Sequence, residues 1–115
     1  MYTFLVNGYI WSVVPVKPHS SKLIDQTGEF RVATTDPKTL CIYLNEDLGG
    51  DFLDKVIKHE LCHCIIFSYD LARYIHKVVP KKYWIESEEW MCNFISKYND
   101  EIAHLAHNIE LYFGR

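Results

Sequence analysis

The stretch from Asp51 to Tyr69 constrains this chain more than any other. Its apolar residues Phe52, Leu53, Val56, Ile57, Leu61 and Ile65 recur at steps of three and four, the pattern of a helix laid on a core. Gly49 and Gly50 interrupt the preceding segment, Asp51 suits the N-cap, and Asp54 falls where a carboxylate favours the helix dipole. A helix is therefore expected from about Phe52 to about Tyr69. Within it lies His59-Glu60-Leu61-Cys62-His63. Residues four apart on a helix differ by about 40° around its axis, so the two imidazoles project together and can grip one ion. Glu60 is displaced from His59 by about 100°, which lets it reach a water beside that ion without ligating it. Shuffling a chain of 115 residues with 6 His yields this pattern only about 0.02 times.

Two imidazoles and a carboxylate, with a fourth position open to water, form the donor set of catalytic zinc sites, so one Zn2+ per chain is expected. Glu60 is the expected catalytic base, taking the proton of a water that attacks a polarised carbonyl. The third ligand must lie elsewhere, because Ile66 and Tyr69 stand where a metzincin pattern requires glycine and histidine. Glu86, Glu88 and Glu89 are the source, although each also suits a helix first turn as an ordinary acid. Glu89 is favoured because Asn93, four residues on, can accept a hydrogen bond from a metal-bound imidazole. Glu86 has Trp90 in that position and Glu88 has Cys92. His76 is a further alternative ligand, and His104, His107, Tyr69 and Tyr98 are alternative donors to an oxyanion, though such residues commonly serve as solvated or core side chains.

The rest of the chain frames this helix. Thr3 to Val6 and Tyr9 to Val14 read as strands joined by Asn7-Gly8, the signal of a type I′ hairpin, with Pro15 and Pro18 closing the segment. His19 to Gly28 reads as irregular. Glu29 to Thr34 and Leu40 to Asn45 read as two more strands about the Asp36-Pro37 turn, with Leu40, Ile42 and Leu44 on one face. Asp70 to Val79 fits a short helix, and Pro80 to Lys82 a loop. Ser87 is a candidate cap for a final helix carrying Met91, Ile95, Tyr98, Ile102, Leu105, Ile109 and Phe113, either unbroken or divided at Asn99-Asp100. The fold class implied is α+β: a small antiparallel sheet packed on the motif helix, with a glutamate helix closing the site.

An apolar content of 49% over 115 residues supports one core, hence a single domain over residues 1–115. A net charge of −3 provides no basic surface for nucleic acid. Charges and prolines break every run before the roughly 18 apolar residues of a membrane span, and Met1 to Val16 lacks the basic start of a signal peptide. The expected setting is cytoplasmic, away from membranes, with Cys41, Cys62, Cys64 and Cys92 reduced. Oligomeric state is open.

From about Glu29 to Tyr98 the chain resembles the ImmA/IrrE-like branch of gluzincin metallopeptidases, in the short single-domain form found in phages and other mobile elements. There a strand pair leads into H-E-x-x-H and a later helix carries E-x-x-A-N/D, read here as Glu89-Trp90-Met91-Cys92-Asn93. The resemblance implies that His59, His63 and Glu89 hold zinc, that Glu60 is the general base and that Asn93 supports a ligand from behind. It also implies a protein or peptide substrate lying along Leu40 to Asn45 as the edge strand. Cys62 and Cys92 depart from the small residues usual at their positions. They read as thiols filling close helix contacts, with redox pairing or ligation as alternatives. Two other functions compete. One is a catalytically silent zincin-like domain that acts by binding a protein, as a regulator or anti-repressor of a mobile element. The other is a thiolate-rich metal site at Cys62, His63 and Cys64, which the roughly 160° between the two cysteines disfavours.

Overall fold

Asn7 and Gly8 both take positive φ, 45° and 83°, so the pair makes the primed turn that matches strand twist. In a computed structural model that describes residues 1–114, this turn joins β1 (Tyr2–Val6) antiparallel to β2 (Tyr9–Val16). β2 runs through Pro15. That is tolerated because β1 pairs only as far as Val13, so no partner on that side requires the missing N–H.

β3 (Ala33–Asp36) and β4 (Cys41–Asn45) complete a four-stranded sheet in the order β1-β2-β4-β3. The α+β class is as expected, but the sheet is mixed rather than wholly antiparallel: β2 and β4 pair in parallel. The polar stretch from Lys17 to Val32 supplies the long return that a parallel pair requires. The edge assignment is also corrected. Leu40 to Asn45 is interior, and the edges are β1 and, on the side of α1's motif residues, β3. Consecutive residues Ile42, Tyr43 and Leu44 are all buried, so both faces of β4 are covered, as suits a central strand. β3 begins later than Glu29 because Asp25 draws that segment into a loop. Its carboxylate accepts from the Thr27 and Glu29 N–H groups, the Thr27 hydroxyl and the Arg31 guanidinium, competing with ladder bonding.

The motif helix, α1, spans Gly50–Ser68, starting two residues before Phe52, with Gly49 as its cap and Asp51 inside its first turn. α2 (Ala72–Val78) is the short helix expected. α3 runs unbroken over Trp84–Tyr112, so Asn99-Asp100 is no boundary and Ser87 lies inside the helix rather than capping it.

α1 is the middle layer. One side packs Val56 and Cys64 onto Trp11, Ala33, Ile42 and Leu44 of the sheet. The other packs Cys62 and Ile66 against Cys92 and Met91 of α3, with Leu71 and Ala72 beside them. The N-terminal hairpin is tied to the end of α1: Asn7 Nδ2 donates to the Ser68 carbonyl at 2.8 Å, and Trp11 Nε1 to Ser68 Oγ at 2.9 Å. These bonds satisfy groups left unpaired where the helix stops. Among the described residues no helix is long and apolar enough to cross a membrane.

Candidate metal centre

Because α1 is covered on two sides, its motif residues divide between them. His59 and His63 face α3, while Glu60 turns toward the edge strand. His59 Nε2 and His63 Nε2 stand 3.2 Å apart. Glu89, on the second turn of α3, places Oε2 at 3.1 Å from the first and Oε1 at 3.0 Å from the second.

These separations allow a test of fit. Tetrahedral zinc with bonds of about 2.0–2.1 Å spaces its ligand atoms by about 3.3–3.4 Å. The two imidazole nitrogens, 3.2 Å apart, are near that spacing, and each meets a different oxygen of Glu89 at 3.0 to 3.1 Å. Cys92 Sγ also lies near, within 4.8 Å of both imidazole donors, so the geometry offers a carboxylate and a thiol as third ligand.

Glu88 occupies a different position: its Oε2 is 2.6 Å from His63 Nδ1. A carboxylate accepts, so Nδ1 carries a hydrogen, which leaves Nε2 as the atom a metal would meet once the ring is neutral. Glu88 therefore sits behind His63, the kind of position the sequence resemblance implies for Asn93. Asn93 lines the same cleft, but among the described residues its side chain makes no hydrogen bond. The spacing signal was present all the same, since Glu88 immediately precedes Glu89, and only the rotation of α3 against α1 distinguishes their roles.

Burial disfavours the His63 imidazolium, yet hydrogen bonds to Glu88 and Glu89 and the charge of Glu60 outweigh it and lift His63 to about 10. Bonding to His59 and His63 holds Glu89 below the usual carboxylate range. Both shifts have one cause, the close approach of imidazoles and carboxylates.

Glu60 is buried, and burial raises its pKa against the opposing hydrogen bond from Thr35 and the nearby histidines. Thr35 Oγ1 donates to Glu60 Oε2. This contact between strand and helix has no trace in the sequence, where 25 residues separate the partners.

The remaining candidates lie elsewhere. Glu86 is exposed at the start of α3. His76 stacks on Trp84 with ring centroids 3.6 Å apart. His104 and His107 are exposed far along α3, Tyr69 is exposed at the end of α1, and Tyr98 packs against Phe94. Cys62 and Cys64 project to opposite sides of α1, so the Cys62-His63-Cys64 site does not form. Cys62 and Cys92 do meet: a hydrogen bond from Cys92 lowers Cys62 to about 7.

The centre opens into a cleft of about 860 Å3, walled by Val32 to Asp36 of the edge strand, by α1 and by Glu88, Glu89 and Asn93 of α3. No family model, curated protein or solved structure matches this chain.

Proposed function

We propose that this protein is a single-domain zinc metallopeptidase of the zincin type, similar to the ImmA/IrrE-like gluzincins, acting on an extended segment of a protein. The observation that carries the reading is the mutual spacing of His59 Nε2, His63 Nε2 and the Glu89 carboxylate, 3.0 to 3.2 Å. His59, His63 and Glu89 would hold the ion. Bound there, zinc would supply Lewis acidity, polarising a carbonyl and acidifying a water.

The protein's own groups perform the other tasks. Glu60 takes a proton from the attacking water and returns it to the departing amine. Thr35 holds one oxygen of that carboxylate, leaving the other for the water. Glu88 fixes the tautomer of His63. The unpaired side of β3 can hydrogen-bond an extended peptide and lay its scissile carbonyl along the cleft wall beside Glu60. On this reading the substrate would lie along Ala33–Asp36, since β4 is an interior strand with both sides paired.

The test is zinc content of chelator-free preparations of the wild type, Glu89→Ala and Cys92→Ala. One zinc per chain in the wild type and in Cys92→Ala, with most of it lost in Glu89→Ala, supports the carboxylate set. The reverse pattern transfers the third position to Cys92, and a metal-free wild type after reconstitution rejects the enzyme reading. Full biological function in a zinc-loaded Glu60→Gln variant would instead make the domain a binder.

A further inference from the structure

Past Ser96 no residue of α3 is buried: every described residue from Lys97 onward is exposed. An isolated helical run of this length is marginal in water, and propensity alone holds it weakly. Its composition is not that of a solvated arm. Ile95, Ile102 and Ile109 alternate with Tyr98, Leu105 and Tyr112 at strict steps of three and four. That is a heptad repeat with isoleucine at every a position and Leu or Tyr at every d, a composition suited to two-stranded coiled coils. Lys97, Asp100, His104 and His107 occupy the opposite face, and Asp100 bonds Lys58 of α1 at 2.7 Å.

We infer that this seam is a dimer interface, and that its occupant is the same segment of α3 in a second copy of this chain. Two observations favour a copy. The seam is self-complementary: each a and d side chain of one helix finds in the other the hole that its own helix offers. The area also suffices. The six side chains are 40 to 83% exposed, which at roughly 150–200 Å2 each amounts to about 1,000 Å2 over two copies, near the lower bound for a specific interface. The face of α3 that meets α1 carries Cys92, and the seam lies about 100° around the axis from it. Pairing through residues 95–112 uses none of the candidate metal ligands, so it is independent of the metal.

Sedimentation analysis from about 1 to about 200 µM, with and without chelator, tests the pairing. The expected result is a mass rising toward twice 13.6 kDa in both conditions. Ile102→Glu with Leu105→Glu should weaken association at least about 100-fold, since buried like charges oppose it, while His107→Glu on the outer face retains the dimer. Ile102→Ala with Leu105→Ala, which spares the helix, should also weaken it and guards against loss of folding in the charged variant. A wild type that stays at 13.6 kDa throughout, or seam variants that pair as tightly as the wild type, would overturn the inference.

Discussion

In the proposed enzyme, Glu60 would separate metal binding from chemistry at a single carboxylate. Glu60→Gln keeps the shape and leaves the ligands in place, so zinc should be retained while turnover falls by about 100-fold or more. Thr35, which donates to Glu60, would be a positioning residue in the proposed enzyme. Thr35→Val should lower kcat with little change in KM, and Thr35→Ser should restore it; an equal loss in both variants would make the hydroxyl irrelevant. Asp25 belongs to stability instead. The Thr27 hydroxyl and Arg31, with the loop N–H groups, hold its carboxyl well below the usual range. A depressed folded pKa contributes stability that is present above the unfolded value near 4 and lost as pH falls through the folded one. Asp25→Ala should therefore cost under about 1 kcal/mol at pH 7, given its exposure to solvent, and the difference should close in acid. Denaturant titrations at both pH values measure it.

At the scale of elements, α1 is held from both sides, and the two contacts differ in chemistry. Toward the sheet it is sealed by apolar packing and by the bond from Trp11 Nε1 to Ser68 Oγ, in a fully buried setting. Ser68→Ala would leave that indole N–H without a partner and should cost about 1–3 kcal/mol. Chemical denaturation with no change in zinc content is the expected signature. Toward α3 the contact is made by small thiols at Cys62 and Cys92, which let the helices approach closely enough for Glu89 to meet His59 and His63.

For the whole molecule, the proposed ligands His59, His63 and Glu89 lie on α1 and α3, so an ion held by them would act as a clasp between layers. Metal bound only by the folded chain stabilises it by mass action. Chelator should therefore lower Tm in the wild type, by roughly 4 °C for each kcal/mol withdrawn, and leave Glu89→Ala unaffected. The projecting part of α3 makes the molecule long, 51 Å in its greatest extent. If the inferred pairing holds, its unfolding should follow protein concentration rather than chelator.

Local features of this protein were legible in the amino-acid sequence. The Asn7-Gly8 turn, the helical period around His59 and His63, and the stripe along α3 depend on residues a few positions apart, where backbone geometry alone sets what can meet. The candidate ligands were legible for the same reason, as a motif and a nearby acidic cluster. Tertiary structure decided what crosses between elements. The strand at the edge depended on the path of the chain from Lys17 to Val32, and on Tyr43 being as buried as Ile42 and Leu44, which alternation on one face does not reveal. The division between Glu89 at the ions' donors and Glu88 behind His63 depended on how α3 is rotated against α1. Thr35 reached Glu60 only because β3 lies beside the helix. Contacts of that kind arise from packing whole layers together, and no spacing along the chain encodes them.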